Sequence, residues 1–226
     1  MRQGEVLSLI GSNGAGKTTL VNLISGLFRS DAGTIFFLDS DVTSLSVYDR
    51  IKRGIARSFQ LVNLFDQLTA LDNVGLAIFS REGKIRKFMS LAESDGGVRE
   101  EALEVLRQFG LEGKSSVLAG ELAQGERKLL DVAVAHSLKP MLLFLDEPTS
   151  GVSTREKGRI MDTISSVVRA GKITAVIIEH DMDVVFKYSD RIVVMHQGKI
   201  LADGTPDEIR QNQEVTTTLL GTPYAG

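Results

Sequence analysis

The 226-residue sequence predicts an α/β fold with a parallel-sheet core that is interrupted by a helical insert. A buried strand pattern over residues 6–10 is followed by a glycine-rich loop and by a helical pattern over 17–27. Apolar strands and amphipathic helices alternate again after Pro140, which is typical of a largely parallel sheet. Between these two parts, residues 61–135 have a mostly helical pattern.

Two further strands are expected before the insert, at 34–38 and 57–59. Inside the insert, one helix is expected to end near Gly110, because glycine tolerates the backbone that closes a helix. The apolar stripe of that helix consists of Val98, Ala102, Val105, Leu106 and Phe109.

After the insert, helix-end signals separate the strands. These strands are expected at 141–145, 173–178 and 192–195. Ser153 and Glu156 predict a capping box at the start of a helix that Gly171 ends. Thr205 begins a later helix in the same way, with Pro206 in its first turn.

The composition excludes several classes of protein. The sequence has 26 Lys and Arg residues and 29 Asp and Glu residues, which gives a net charge of −3. It therefore lacks the surplus of basic residues that would indicate a nucleic-acid partner. The sequence contains no Cys, which excludes disulfides and thiolate metal sites. Its apolar runs are too short for a membrane span, and its N-terminus lacks the pattern of a signal peptide. We therefore expect a soluble chain, which would need other subunits to work at a membrane.

The loop over residues 11–18 fits the phosphate-binding pattern G-x-x-x-x-G-K-[ST]. Its glycines allow several backbone N–H groups to converge on one anion. Lys17 is expected to reach the β- and γ-phosphates, and the Thr18 hydroxyl is expected to hold Mg²⁺. The preceding strand and following helix favour nucleotide binding over a plain glycine-rich turn. The expected nucleotide-binding residues here are Gly11, Ser12, Asn13, Gly14, Ala15, Gly16, Lys17, Thr18 and Thr19.

Two carboxylates, Asp146 and Glu147, follow the apolar strand that ends at 145. Such a strand would bring Asp146 to the sheet edge beside the loop, where it can hold Mg²⁺ directly or through water. Glu147 would then polarise the attacking water, a general-base contribution of roughly 10²–10⁴-fold in rate. Alone, the pair would more often mark a strand end before Pro148, but the phosphate loop favours the catalytic interpretation.

Three other segments have candidate roles that are weak when each is considered alone. Residues 122–127 precede a helix, and the glycine there can expose N–H groups to an anion. The Gln60 amide can contact metal or water, and the His180 imidazole follows a strand and can contact the γ-phosphate. Taken singly, residues 122–127 would be a loop-to-helix junction, a lone Gln is normally a surface residue, and a His at a strand end is more often structural. We interpret His136 and His196 as structural.

Taken together, these five segments occur in the order of an ATP-binding-cassette (ABC) ATPase, and the sequence resembles that family over nearly its whole length. The resemblance implies a P-loop NTPase (RecA-like) fold in a single domain, 1–226. Its core would comprise 1–60 and 136–226, with a helical subdomain at about 61–135. It also implies ATP and Mg²⁺ as ligands.

The resemblance assigns a role to each segment. Gln60 would be the Q-loop residue, a catalytic residue and metal ligand, and Thr18 and Asp146 would be the other metal ligands. Glu147 would be the catalytic glutamate and His180 the switch histidine. Residues 150–153 would form the D-loop. The signature motif, which would cover the nucleotide of a second subunit, comprises Leu122, Ala123, Gln124, Gly125, Glu126 and Arg127.

The finer resemblance is to the ATP-binding subunits of branched-chain amino acid importers. It lies in the segments 54–60, 64–65, 68–74, 179–185 and 198–206. Related cassettes for urea, or for lipopolysaccharide export, share parts of these segments. The resemblance implies transmembrane permease subunits and a second ABC ATPase subunit as partners, with an extracytoplasmic solute-binding protein as an indirect one. No nucleic acid is expected. The location would be peripheral, at the cytoplasmic face of the inner membrane.

Three departures from the family pattern motivate an alternative. No aromatic residue precedes Phe28, so either the N-terminal antiparallel β part is truncated, or adenine is held in another way, or ATP binds poorly. Ala123 replaces the usual serine, and Glu126 adds negative charge where glutamine is common. Ser153 replaces the usual Asp or Asn of the D-loop. The alternative is a degenerate cassette that binds ATP and pairs with a competent subunit but hydrolyses poorly.

Overall fold

A computed structural model describes residues 1–58, 64–83 and 96–220. Its strands are β1 (Val6–Gly11), β2 (Phe36–Phe37), β3 (Ser40–Asp41), β4 (Ile55–Arg57), β5 (Leu142–Asp146), β6 (Thr174–Ile178), β7 (Arg191–His196) and β8 (Lys199–Gly204). Six of them form one sheet in the order β4-β5-β6-β1-β7-β8, and β2 pairs with β3. The pairs from β4 to β7 are parallel, whereas β8 is antiparallel to β7. The predicted parallel α/β core is therefore confirmed.

The helices lie on both faces of this sheet and in the predicted insert. They are α1 (Lys17–Ser25), α2 (Val47–Lys52), α3 (Ala70–Arg81), α4 (Gly96–Gln108), α5 (Gln124–Ser137), α6 (Thr154–Ala170), α7 (Met182–Tyr188), α8 (Pro206–Gln211) and the short α9 (Gln213–Val215). Between α4 and α5 lie two 3₁₀ turns, Glu112–Lys114 and Ala119–Glu121. Helices α3, α4 and α5 pack against one another. The division of the chain into a core and a helical subdomain at about 61–135 stays a prediction.

The central strands are buried on both faces, as expected where helices cover a parallel sheet. Successive side chains of β5 point to opposite sides. Leu143 and Leu145 pack in one cluster with residues of α5 and α6, whereas Leu142 and Phe144 pack in a second cluster with Val21 of α1. Because helices pack on both faces, the sheet is held in place and the positions of its strand ends are defined.

The prediction of a strand over 34–38 is wrong in extent. The strand comprises only Phe36–Phe37, and it ends there because Leu38 and Asp39 have φ of 47° and 59° and turn the chain back into β3. Two adjacent residues with positive φ are typical of a tight hairpin turn. The strand expected at 57–59 is Ile55–Arg57, and Phe59 lies outside the described residues.

The expected helix ends are confirmed. Glu208 accepts from the backbone N–H of Thr205 at 2.7 Å, and Glu156 accepts from the N–H of Ser153 at 3.2 Å. Gly110 has φ of 70° just after α4. The apolar stripe that was expected to face the core is buried, as shown by Val98, Ala102, Val105, Leu106 and Phe109.

Candidate active site

The carboxyl ends of three neighbouring strands form the candidate site. Asp146, the last residue of β5, is paired with Ile178, the last residue of β6, and Ile178 is paired with Leu9 of β1. Because the three strands are parallel, the segments that follow them leave the sheet at one edge. The phosphate loop, the carboxylate pair and the His180 segment are therefore brought together from positions that are far apart in sequence.

The phosphate loop packs closely against the sheet. A side chain at Gly11 would place its Cβ 2.3 Å from the carbonyl oxygen of Met195. Gly16 has φ of 97° at the N-cap of α1, and its carbonyl accepts the first helical hydrogen bond, from Leu20, at 2.9 Å. The carbonyl of Ala15 accepts from the N–H of Gly198 at 3.0 Å, which joins the loop to the β7–β8 turn.

The exposure of the loop residues fits contact with a ligand at its outer face. Ala15 and Lys17 are buried, and Gly11 and Gly16 are half-buried. The exposed residues are Ser12, Asn13, Gly14, Thr18 and Thr19. The Lys17 ammonium donates to the carbonyls of Gly11 at 2.7 Å and Ser12 at 3.1 Å, so it lies inside the loop.

Electrostatics link Lys17 to the two carboxylates. Burial lowers the pKa of Lys17, whereas the negative charges of Glu147 and Asp146 oppose that effect by raising its pKa. Both carboxylates therefore lie close enough to act on the ammonium. An ammonium and two carboxylates at one sheet edge can bind a triphosphate with its metal and activate water beside it.

Asp146 is held by an ion pair that the sequence did not predict. Its Oδ2 lies 2.6 Å from Nη2 of Arg57, and the two side chains are only 5% and 8% exposed. The same guanidinium donates to Oδ1 of Asn22 on α1 at 2.5 Å. Arg57 therefore joins β4, β5 and α1 beneath the phosphate loop. A charged residue at the end of an otherwise apolar strand was the only signal for it.

The oxygen donors at this edge fit Mg²⁺. Carboxylate and hydroxyl oxygens, such as those of Asp146 and Thr18, are ligands that Mg²⁺ accepts, usually together with phosphate oxygens and water. Over residues 1–58, 64–83 and 96–220, no cluster of three or more His, Asp or Glu side chains could hold a metal. The oxygens of Asp146 and Thr18 suit an ion that binds together with the phosphates of a nucleotide.

Glu147 has an unusual backbone. Its φ is 48°, in the left-handed region that costs an L-residue about 1–2 kcal/mol. Its N–H donates to the carbonyl of Ile178 at 2.9 Å, and its Oε1 lies 3.3 Å from Nε2 of His180. His180 is 48% exposed and Glu147 20% exposed, so solvent can reach the pair. Two of the three residues expected to be catalytic, Glu147 and His180, are therefore in contact.

Glu179 was also missed by the sequence reasoning. Its buried carboxylate accepts from the hydroxyl of Thr149 at 2.6 Å and from the N–H of Thr149 at 3.0 Å. It also accepts from the N–H of His180 at 3.2 Å. These bonds tie the loop after β5 to the loop after β6, which keeps Glu147 and His180 side by side.

The signature segment forms the start of α5. Leu122 and Gly125 are buried, whereas Gln124 is exposed. Glu126 bends back and accepts from the N–H of Ala123 at 3.0 Å, and its other oxygen lies 3.3 Å from the ammonium of Lys114. In this chain the Glu126 carboxylate thus caps its own helix. A contact of residues 122–126 with the nucleotide of a second subunit stays a prediction.

Two other expectations have different outcomes. Gln60 lies outside the described residues, and its role as a metal-contacting catalytic residue stays a prediction. The Ser153 hydroxyl donates to Glu156 at 2.6 Å, so this D-loop position serves as a helix cap. Among the helices of the described ranges, none is both long enough and apolar enough for a membrane span.

Known proteins are similar to this chain in sequence. Residues 1–150 match the family model described as ABC transporter. BraF, a high-affinity branched-chain amino acid transport ATP-binding protein of Pseudomonas aeruginosa, is 33% identical over 98% of this chain and 89% of its own length. LivG of Escherichia coli, which has the same description, is 34% identical over 96% of this chain and 87% of its own length.

Solved cassettes have the same fold. The ADP conformation of MJ1267, an ATP-binding cassette of an ABC transporter, superimposes with a TM-score of 0.84 at 29% identity, over 97% of this chain and 89% of that one. A dimeric post-hydrolysis state of the cassette MJ0796, bound to ADP and Pi, has a TM-score of 0.76 at 26% identity, over 91% and 87%. The chain therefore belongs to the ABC transporter family and is one of its ATPase cassettes.

Proposed function

We propose that this cassette hydrolyses Mg-ATP to power an importer of branched-chain or other hydrophobic amino acids. The observation that best supports it is the convergence of Lys17, Glu147 and His180 at one edge of the sheet. The substrate class rests on the similarity to BraF and LivG, which are branched-chain amino acid transport proteins.

Each residue has a distinct task in this proposal. The loop N–H groups and Lys17 hold the β- and γ-phosphates, and Thr18 and Asp146 hold Mg²⁺, with Gln60 as a further ligand. When bound, Mg²⁺ neutralises phosphate charge. Glu147 accepts the proton of the attacking water through its carboxylate, and the neighbouring His180 fixes the direction of that carboxylate.

The proposed partners follow the resemblance to importers. The cassette would dimerise with itself or with a second ATPase subunit, so that residues 122–126 cover the nucleotide of the partner. The dimer would bind transmembrane permease subunits at the cytoplasmic face of the inner membrane, and a solute-binding protein would act through those permeases. Hydrolysis would then be coupled to movement of the permeases.

The test measures ATP hydrolysis and leucine uptake by the assembled transporter in proteoliposomes. Lys17→Ala should weaken nucleotide binding, and Glu147→Gln should retain binding but lower kcat by about 10²–10⁴-fold. Glu100→Gln, the same chemical change at an exposed position of α4, is the matched control. Wild-type turnover in Glu147→Gln would refute the assigned roles.

Two other results would separate the remaining alternatives. Nucleotide binding and dimerisation of the wild-type chain without turnover would favour the degenerate cassette. Hydrolysis that is stimulated by solutes other than hydrophobic amino acids would leave the ATPase roles intact but overturn the substrate class.

A further inference from the structure

Lys128 of helix α5 places a buried ammonium against the turn that follows β5, which comprises residues 147–151 and is called the catalytic turn. Lys128 is only 6% exposed, although lysine is rarely buried without partners. Its Nζ donates to the carbonyl oxygen of Glu147 at 3.2 Å and to the hydroxyl of Ser150 at 3.0 Å. The side chain therefore extends from the helical part of the chain to the residue proposed as the general base.

The contact fixes a backbone that would otherwise be unfavourable. The left-handed conformation of Glu147 persists only if its surroundings over-determine it. Its N–H donates to Ile178 of the sheet, and its carbonyl accepts from the N–H of Ser150 at 3.1 Å as well as from Lys128. Among these contacts to the Glu147 backbone, the one from Lys128 comes from α5.

A second residue of α5 reinforces the link. Gln124 precedes Lys128 by four residues, so the two side chains lie on the same face of the helix. The Gln124 amide packs over Gly151, where an added Cβ would lie 2.3 Å from its Nε2. One face of α5 therefore contacts the catalytic turn at residues 147, 150 and 151, and a movement of α5 would displace Glu147.

We propose that Lys128 is a positioning residue for hydrolysis: it holds the Glu147 backbone so that the carboxylate meets His180 and the attacking water. The proposal rests on the function proposed above for Glu147. It gives the signature segment at the start of α5 a direct connection to the general base of the same chain. The ammonium acts through the backbone of Glu147 and does not contact the reacting atoms.

The test compares Lys128→Met with Lys128→Arg in the assembled transporter. Methionine keeps the length and packing of the side chain but cannot donate, whereas arginine can still reach the same oxygens. We expect Lys128→Met to lower kcat by about 10- to 100-fold, because a misplacement of about 1 Å can cost 10²-fold. The KM for ATP should stay within about threefold, since the phosphate loop is untouched, and Lys128→Arg should recover most of the loss.

Controls separate positioning from folding. Lys52→Met changes an exposed lysine of α2 and should leave kcat unchanged. The thermal shift on adding ATP shows whether each variant still folds and binds nucleotide. If Lys128→Met does not fold, Lys128→Leu, which also cannot donate a hydrogen bond, replaces it, with the same expected loss of kcat at constant KM.

Three results would overturn the proposal. They are a kcat within about threefold of the wild type in the variant that cannot donate, a rise in KM that accompanies the fall in kcat, or a Lys128→Arg enzyme as slow as Lys128→Met. Failure of this proposal differs from failure of the proposed function. In the first case the wild-type chain hydrolyses ATP and depends on Glu147 but not on Lys128, whereas in the second Glu147→Gln itself is fully active.

Discussion

The sheet edge that carries the candidate site and the α3–α4 pair of helices differ in how they accommodate charged side chains. At the edge, Lys17, Asp146 and Glu179 are all less than 9% exposed, although each is ionisable. In α3 and α4 the buried side chains are mostly apolar. Their ion pair, Arg81 with Glu101, lies at the rim, with side chains 19% and 28% exposed.

This difference predicts which kind of substitution each region should tolerate least. Burying a charge is costly unless a partner offsets it, so the edge depends on each of its hydrogen bonds and ion pairs. The helical pair depends on the apolar volume that it removes from water. A substitution should therefore be most harmful at the edge when it removes one charge of a pair, and in α3–α4 when it removes apolar volume.

The largest loss of stability is expected for Arg57→Met. The substitution leaves the Asp146 carboxylate buried without the guanidinium at 2.6 Å, and breaking such a pair costs about 3–5 kcal/mol. Urea unfolding of the isolated chain measures the loss. The double variant Arg57→Met with Asp146→Asn should lose clearly less free energy of unfolding than the sum of the losses in the two single variants. A loss below about 1 kcal/mol for Arg57→Met would contradict the comparison.

A smaller loss is expected for Leu106→Ala in α4. Leu106 is 0% exposed, and truncating a buried leucine typically costs about 2–5 kcal/mol through lost burial and the cavity that remains. The matched control is Leu103→Ala on the same helix, because Leu103 is only partly buried and should cost less. Differential scanning calorimetry measures both. Equal losses would show that α4 does not depend on its apolar face.

Much of this edge could be predicted from the sequence, because its signals are local. The loop over 11–18, the apolar strand before Asp146 and the capping pair of Ser153 and Glu156 each lie within a few residues. Strand order is not local. The ion pair of Arg57 with Asp146 spans 89 positions and exists because β4 and β5 are neighbours in the sheet. No pattern along the chain contains that pairing.

Two other features depended on backbone details that residue patterns do not encode. The turn at Leu38 and Asp39 requires positive φ without a glycine, so the apolar run around it resembled a longer strand. The hydrogen bond from the Ala123 N–H to Glu126 was also not predicted from the sequence. Because Ala123 has no side-chain oxygen to cap α5, the Glu126 carboxylate turns back to that N–H.

The smallest effect should come from the rim, and it should depend on pH. Hydrogen bonds from Arg81 lower the pKa of Glu101 from 4.5 to about 2, with Lys139 contributing. Because the folded-state pKa is depressed, the stabilisation is complete above about pH 4.5 and is lost as the pH falls towards 2. Solvent screening at this partly exposed pair limits its value to about 1 kcal/mol. Glu101→Gln should therefore lower the free energy of unfolding by about 1 kcal/mol at neutral pH and by much less near pH 2. Urea titrations at both pH values measure this, with Glu100→Gln as the exposed control on the same helix. A pH-independent loss would mean that Glu101 acts by packing, which would erase the contrast between a rim held by charge and an interior held by apolar volume.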